Sequence, residues 1–447
     1  MIVTDLMKTQ PLRPVLRLQA YRLFSRIAHR RPSSSDSIQN YVGQDLSNLE
    51  AGRAKGGIMV YAATIGEFQA VRPLIDALGD RLPLTPLVLL AGQSQYQRNM
   101  QEAYPKAIVA GPPNLAPNIL DRFFALVEPR FVIFAEGPSL HARFPIRLDL
   151  SLPAACLYHR TPLFVANACV YELHLPSRID RIEHKLFSSL HLHAVTQWFT
   201  PAPVFAAMLQ AAGADEQRVT VTGDTKFDTA LSGPHRKASA ELKTILSHIE
   251  AAGAPVIVAG SVNAIDEQKA VIAGWAHVRC TYPGALLVIA PRYINNAKVM
   301  DELYGYLGSK NIPYARRSEG PECVRRAAVL VVDVFGELPF YYEHAAICYI
   351  GRNHGVLEPL RYAKPTVVAP RRDWRKDYAA YPLYHLLVEH AGILEVENKS
   401  MLGDVFMRLL EDGEYRNRYV DNSKSIVREQ CGATQRILQN LSDGGFI

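Results

Sequence analysis

The sequence predicts an α/β protein built from two doubly wound, Rossmann-like domains facing a central cleft. Three observations carry this: short, continuously apolar runs alternate with amphipathic stretches, the alternation pauses once and restarts, and 447 residues exceed one ordinary core. Apolar strands of this kind, separated by helical segments, imply parallel sheets covered on both faces.

The first series opens with Gly57 to Ala63, a candidate buried strand, followed by a helix over Phe68 to Leu78. Leu87–Leu90, Phe131–Phe134 and Leu163–Ala166 continue it, and the pattern pauses between Gly223 and Pro234. Pro255–Ala259, Ala285–Ile289, Val329–Val332, Ile347–Ile350 and Thr366–Val368 form the second series. In such sheets ligands bind beyond the carboxyl ends of the strands, so the loops after these runs are where chemistry is expected.

Composition narrows the class. Hydrophobic residues make up 48% and charged residues 21%, and no stretch approaches the ~20 apolar residues of a membrane-spanning helix. The formal charge of +6 is modest, and no nucleic-acid partner is expected. Between Leu12 and Arg31 stand Arg13, Arg17, Arg22, Arg26, Arg30 and Arg31 without one acidic residue, interleaved with Val15, Leu16, Ala20, Leu23, Phe24 and Ile27 at helical spacing. Such a helix can lie in the interface of an anionic membrane or pack on the domain with its arginines solvated, and the sequence leaves both open. The arginine-broken run lacks a small-residue cleavage site, so no cleavable signal peptide is expected, and Pro32 to Ser37 reads as a linker. Six cysteines without CxxC spacing read as small buried hydrophobes rather than a disulfide or zinc framework.

Five strand ends carry candidate chemistry. Gly66 and Glu67 leave the first strand and enter a helix, where a carboxylate can take a proton from an attacking hydroxyl or simply complement the helix dipole. Gly260 and Ser261 end a strand with small residues and free amides suited to an anion. Arg292 follows another strand, and its planar fork suits a phosphate, or else a surface ion pair. Gly336 and Glu337 repeat the strand–glycine–helix arrangement, with backbone amides able to hold a phosphate or carboxylate. His354 through Pro359 places Glu358 where it can accept from two ribose hydroxyls or sit exposed at a helix start. There is no Asp-x-Asp, Walker A or G-x-G-x-x-G sequence, so no metal site is expected.

Together these segments, with Pro73–Leu78, Asn167-Ala168, Thr222–Asp228 and Arg316–Gly320, resemble the 3-deoxy-D-manno-oct-2-ulosonic acid (Kdo) transferase family from about residue 56 to 430. The resemblance implies a GT-B fold, inversion at the anomeric carbon, CMP-Kdo as co-substrate with no other cofactor, and a lipid A precursor at the cytoplasmic face of the bacterial inner membrane. It implies Glu67 as general base, Arg292, Gly336, Glu337 and Glu358 in the donor site, and Lys226 as the lysine of a Gly-Asn-Leu-Lys-Phe-Asp motif. It divides the chain into a membrane-associating segment and linker (1–37), an acceptor-side domain (45–222), a donor-binding domain (235–430) and a C-terminal tail (431–447). The sequence departs from the family at Glu136-Gly137-Pro138, in place of Glu-Thr-Glu, and at Cys169, in place of an arginine. Its Gly-rich loop before His354 is shortened, and Gly355-Val356 replaces Asn-Pro. A different acidic sugar, a catalytically silent GT-B protein binding lipopolysaccharide components or partner enzymes, and a UDP-sugar enzyme remain alternatives.

Overall fold

The computed structural model describes residues 14–28, 46–111, 117–137, 150–169, 178–187, 189–231, 237–351, 355–369 and 382–447. His354, the Pro32–Ser37 linker and both ends of the Leu12–Arg31 segment lie outside them. The chain divides into two compact units, one running to Thr229 and taking in Gln430–Ile447, the other running from Ala230 through Glu429.

The first unit holds β1 (Ile58–Ala62), β2 (Leu87–Ala91), β3 (Ile108–Ala110), β4 (Phe131–Phe134), β5 (Leu163–Val165), β6 (Gln197–Thr200) and β7 (Val219–Val221). They form a seven-stranded sheet in the order β3-β2-β1-β4-β5-β6-β7, every pair parallel. Met59 and Phe134 face one buried cluster, with Phe123 and Trp198, while Val60 and Phe131 face the other, with Phe68 and Leu74. Burial on both faces explains why these strands read as unbroken apolar runs instead of alternating ones.

The second unit repeats the plan with β8 (Val256–Val262), β9 (Leu286–Pro291), β10 (Tyr314–Arg316), β11 (Val329–Val331), β12 (Ile347–Ile350), β13 (Thr366–Val368) and β14 (Leu394–Glu395). Its order is β10-β11-β9-β8-β12-β13-β14, again all parallel. In each sheet the order reverses beside the first strand, at β1/β4 and at β8/β12. The crevice beyond the carboxyl ends at such a switch point is the expected ligand position.

The helix after β1 spans Ile65–Arg81 and so exceeds the predicted Phe68–Leu78, carrying Pro73 within it. The C-terminal residues correct the expectation of a tail. They form the helix Ala433–Asp443, whose Ile437, Leu438 and Leu441 are buried against Phe68 and Val71 of the first unit, with Phe446 edge-on to Phe164. Of the cysteines, Cys156 and Cys348 are buried hydrophobes as expected, but Cys280 is exposed.

The basic helix spans Pro14–Ala28 and packs on the first unit. Leu18 and Tyr21 join a buried cluster with Ala154, Phe187 and Leu190. Arg22 pairs with Asp121 and lies over the Tyr158 ring, and Arg17 donates to Ser189. No described helix is long and apolar enough to cross a membrane.

Candidate active site

The loops after β1 and β4 bring two glutamates to the switch point of the first sheet. Thr64 caps the helix that follows β1, its hydroxyl accepting from the Glu67 amide at 3.2 Å. The Glu67 carboxylate turns back to accept from the Ala63 amide at 2.7 Å. Glu67 therefore helps to cap the helix start as well as standing at its positive end, and one bond leaves its remaining lone pairs for other partners. Glu67 is half-buried, and its carboxyl is raised to about 7, first by burial and then by the negative charge of Glu136.

Glu136 follows β4 and forms an ion pair with Lys226, Nζ to Oε2 3.0 Å, its side chain only 8% exposed. Cys169 Sγ lies 3.7 Å from the other oxygen, and burial pushes its thiol well above the usual range. Lys226 sits in the first turn of the helix Thr225–Leu231, after Asp224, whose carboxylate accepts from the Lys226 amide at 2.9 Å. Burial also raises the Asp224 carboxyl. Asn167 fixes this corner from the end of β5. In the left-handed conformation, φ 49°, it donates to the Ala135 carbonyl and the Thr225 hydroxyl and accepts from the Thr225 amide.

Sequence reasoning named Glu67 and Lys226 but gave Glu136 no role, because the adjacency of β1 and β4 is a property of the sheet order. It also missed why the Thr222–Asp228 segment is built as it is. Asp228 accepts from the Gly432 and Thr434 amides at 2.6 and 2.7 Å, capping the C-terminal helix from outside it. Arg436 returns a bond to the Thr222 carbonyl at 2.6 Å. Half of that motif therefore latches the chain's last helix onto the first unit.

In the second unit the predicted residues occupy adjacent strand ends. Gly260 and Ser261 lie in β8 near its register shift, and Ser261 takes a positive φ of 53°. Gly260 is required by packing: a Cβ there would come within 1.8 Å of the Tyr342 hydroxyl. Arg292 follows β9, its amide bound to the Val262 carbonyl at 3.0 Å. Its guanidinium has no carboxylate partner among the described residues and lies over the Tyr293 ring, 5.8 Å from the centroid. Glu337 is differently used. Its carboxylate receives Arg317 Nε and Nη2 at 2.8 and 3.0 Å, a buried bidentate pair that Glu241 joins at 3.3 Å. What remains for a ligand at this strand end is the backbone around Gly336, φ 84°. Glu358 lies in the short helix Leu357–Leu360, its side chain reached by solvent while its carboxyl is crowded by protein, which raises it to about 7.

Two all-parallel, doubly wound units with flanking helices define a two-domain α/β protein of the GT-B fold. Solved structures share the fold. The UDP-GlcNAc 2-epimerase of Neisseria meningitidis, bound to UDP-GlcNAc, aligns with a TM-score of 0.58 at 16% identity over 87% of this chain and 100% of that one. The Methanocaldococcus jannaschii UDP-GlcNAc 2-epimerase gives 0.54 at 14% identity, over 86% and 99%. The family described as 3-deoxy-D-manno-octulosonic-acid transferase (kdotransferase) matches residues 24–229, which includes Glu67, Glu136 and Lys226. The 3-deoxy-D-manno-octulosonic acid transferase of Bordetella pertussis is 27% identical over 402 residues, covering 86% of this chain and 87% of that protein. The Haemophilus influenzae enzyme of the same name is 22% identical over 404 residues, 86% of each. Over most of its length the chain is similar to Kdo transferases.

Proposed function

We propose that this glycosyltransferase moves Kdo or a related acidic sugar from a CMP-activated donor to a lipid A precursor or similar lipopolysaccharide acceptor, with inversion and without a metal. The site of action is the cytoplasmic face of the bacterial inner membrane, reached through the basic helix. The names of the relatives support the sugar and the reaction. The observation that carries the mechanism is the Glu67 carboxyl, lifted to about 7 beside the Glu136–Lys226 pair at the switch point.

A base near neutrality suits proton removal from a weakly acidic hydroxyl. As the acceptor oxygen forms its bond to the anomeric carbon, its proton passes to Glu67. The bond from that carbon to the phosphate oxygen breaks with its electrons, and CMP leaves. Arg292, half-buried and without a carboxylate partner among the described residues, neutralises the phosphate charge. The amides around Gly336 contribute to the same task, and Glu358 accepts from the ribose hydroxyls. Gly260, Ser261 and Gly66 shape the strand ends around these groups.

The test is Glu67→Ala with CMP-Kdo and a lipid A precursor, read by mass spectrometry, alongside CMP binding by calorimetry. Turnover is expected to disappear while CMP affinity stays unchanged. Retained turnover removes Glu67 from the mechanism, and a wild-type protein that binds CMP but never consumes the donor refutes the transferase reading.

A further inference from the structure

Two helices of the first unit are apolar on more faces than the fold uses. The helix Pro14–Ala28 buries Leu18, Tyr21 and Ser25, and at 100° per residue Leu16, Leu23 and Ile27 fall on the opposite side. Those three are 52–64% exposed. The helix Arg178–Phe187 packs beside it, with the Phe187 ring 5.4 Å from both Tyr21 and Phe24. It turns Glu183 and Phe187 inward and leaves Ile179, Ile182 and Leu186, at i, i+3 and i+7, 46–52% exposed. A helix that packs on a domain needs one apolar stripe, and a second stripe needs a second apolar partner.

Charge selects that partner. On the two helices the exposed charged side chains among those described are Arg26, Arg178 and Lys185, which flank the outer rows, while Glu183 is buried. Arg17 and Arg22 are turned inward to Ser189 and Asp121 and so are not available to headgroups. An apolar row edged by cations fits an anionic bilayer, with aliphatic groups at the acyl boundary and cations at the phosphates.

We infer that the helix Arg178–Phe187 is the second half of a two-helix membrane-docking face, and that Arg26, Arg178 and Lys185 are its phosphate contacts. This rests on the membrane-surface reading of residues 12–31 and extends it to a segment far away in sequence. The face belongs to the unit that carries Glu67, and in the proposed reaction the acceptor is itself a lipid.

The test uses the full chain with sedimenting vesicles of phosphatidylglycerol and phosphatidylcholine, or of phosphatidylcholine alone. One variant replaces Leu16, Leu23 and Ile27 with asparagine, and a second replaces Ile179, Ile182 and Leu186. The residues are exposed, so melting temperature and its shift by CMP are expected to match wild type in both. Each variant is expected to lower partitioning onto anionic vesicles by about tenfold or more, and wild type is expected to leave neutral vesicles unbound. Loss in the first variant only overturns the role of Arg178–Phe187 and leaves the basic helix as the membrane contact. No loss in either overturns both. Equal binding to neutral vesicles refutes the cationic contacts. A wild-type dimer that the second variant converts to monomer, with lipid binding unchanged, assigns the face to a second copy of the chain and refutes the inference.

Discussion

Replacing Glu136 with glutamine isolates the charge that tunes Glu67. The Glu67 carboxyl stands at about 7 because burial and then the Glu136 charge oppose its ionisation, while Lys226 favours it. Glutamine removes the like charge but keeps an oxygen for Lys226, now 3.0 Å from the carboxylate. Both consequences act in one direction: repulsion falls, and the lysine charge is no longer neutralised by its partner. A like charge at a partly buried site is worth roughly one pKa unit, so the Glu67 limb is expected to move from about 7 to roughly 6. At pH 6 the ionised fraction then rises from roughly a tenth to about half, a gain of about fivefold. The assay is kcat/KM for sugar transfer against pH, normalised to each enzyme's plateau. A limb that stays in place, or moves up, refutes the coupling and with it the assignment of the limb to Glu67.

Other perturbations separate chemistry from scaffold. Glu67→Gln tests linkage: a carboxyl raised in the fold from 4.5 to about 7 contributes stability fully below the unfolded value and loses it as pH rises through about 7. The melting temperature of the glutamine variant relative to wild type should therefore climb between pH 5 and pH 8, and a flat difference would show that the group titrates normally. Arg292→Ala should weaken CMP binding by about tenfold or more, the loss of a charge-assisted contact, and unchanged calorimetric affinity counts against its phosphate role. Asp228→Ala removes the acceptor of two amides at the start of the C-terminal helix and should cost about 1–3 kcal/mol in denaturant unfolding, with normal stability refuting the latch.

The central strands were legible because a parallel strand buried on both faces writes itself as a continuous apolar run. Ile58–Ala62, Phe131–Phe134 and Ile347–Ile350 are examples. Five strands went unread, the largely buried Ile108–Ala110 and Gln197–Thr200 among them. Tyr314–Arg316 and Val219–Val221 have residues open to solvent, and Leu394–Glu395 is a two-residue edge. The site was legible where one loop holds its own logic, as at Thr64-Ile65-Gly66-Glu67. It was not legible where the partner comes from another strand, as with Glu136, or from the far end of the chain, as with Gly432 and Thr434 at Asp228. At Gly336-Glu337 the sequence pointed to backbone amides and gave the Glu337 carboxylate no partner, and only the folded chain reveals Arg317 filling it.

The two sheets offer an internal comparison that bears on Glu67. Glu267 occupies the equivalent place after the first strand of the second unit, and its carboxylate accepts from the Asn263 amide at 3.0 Å, as Glu67 accepts from Ala63. The helix-start carboxylate is thus a shared device for joining strand to helix in both halves. What differs is the company. Glu267 is 3% exposed and is held by the Tyr349 hydroxyl at 3.0 Å, which closes it off from any ligand. Glu67 is open enough to be reached and faces a second glutamate whose charge raises its proton affinity. A capping role and a basic role therefore do not compete for Glu67. The cap bond fixes the carboxylate in place, and the neighbouring charge sets its affinity for a proton, so the helix-start glutamate that is scaffold alone in the second unit is, in the proposed mechanism, scaffold plus reagent in the first.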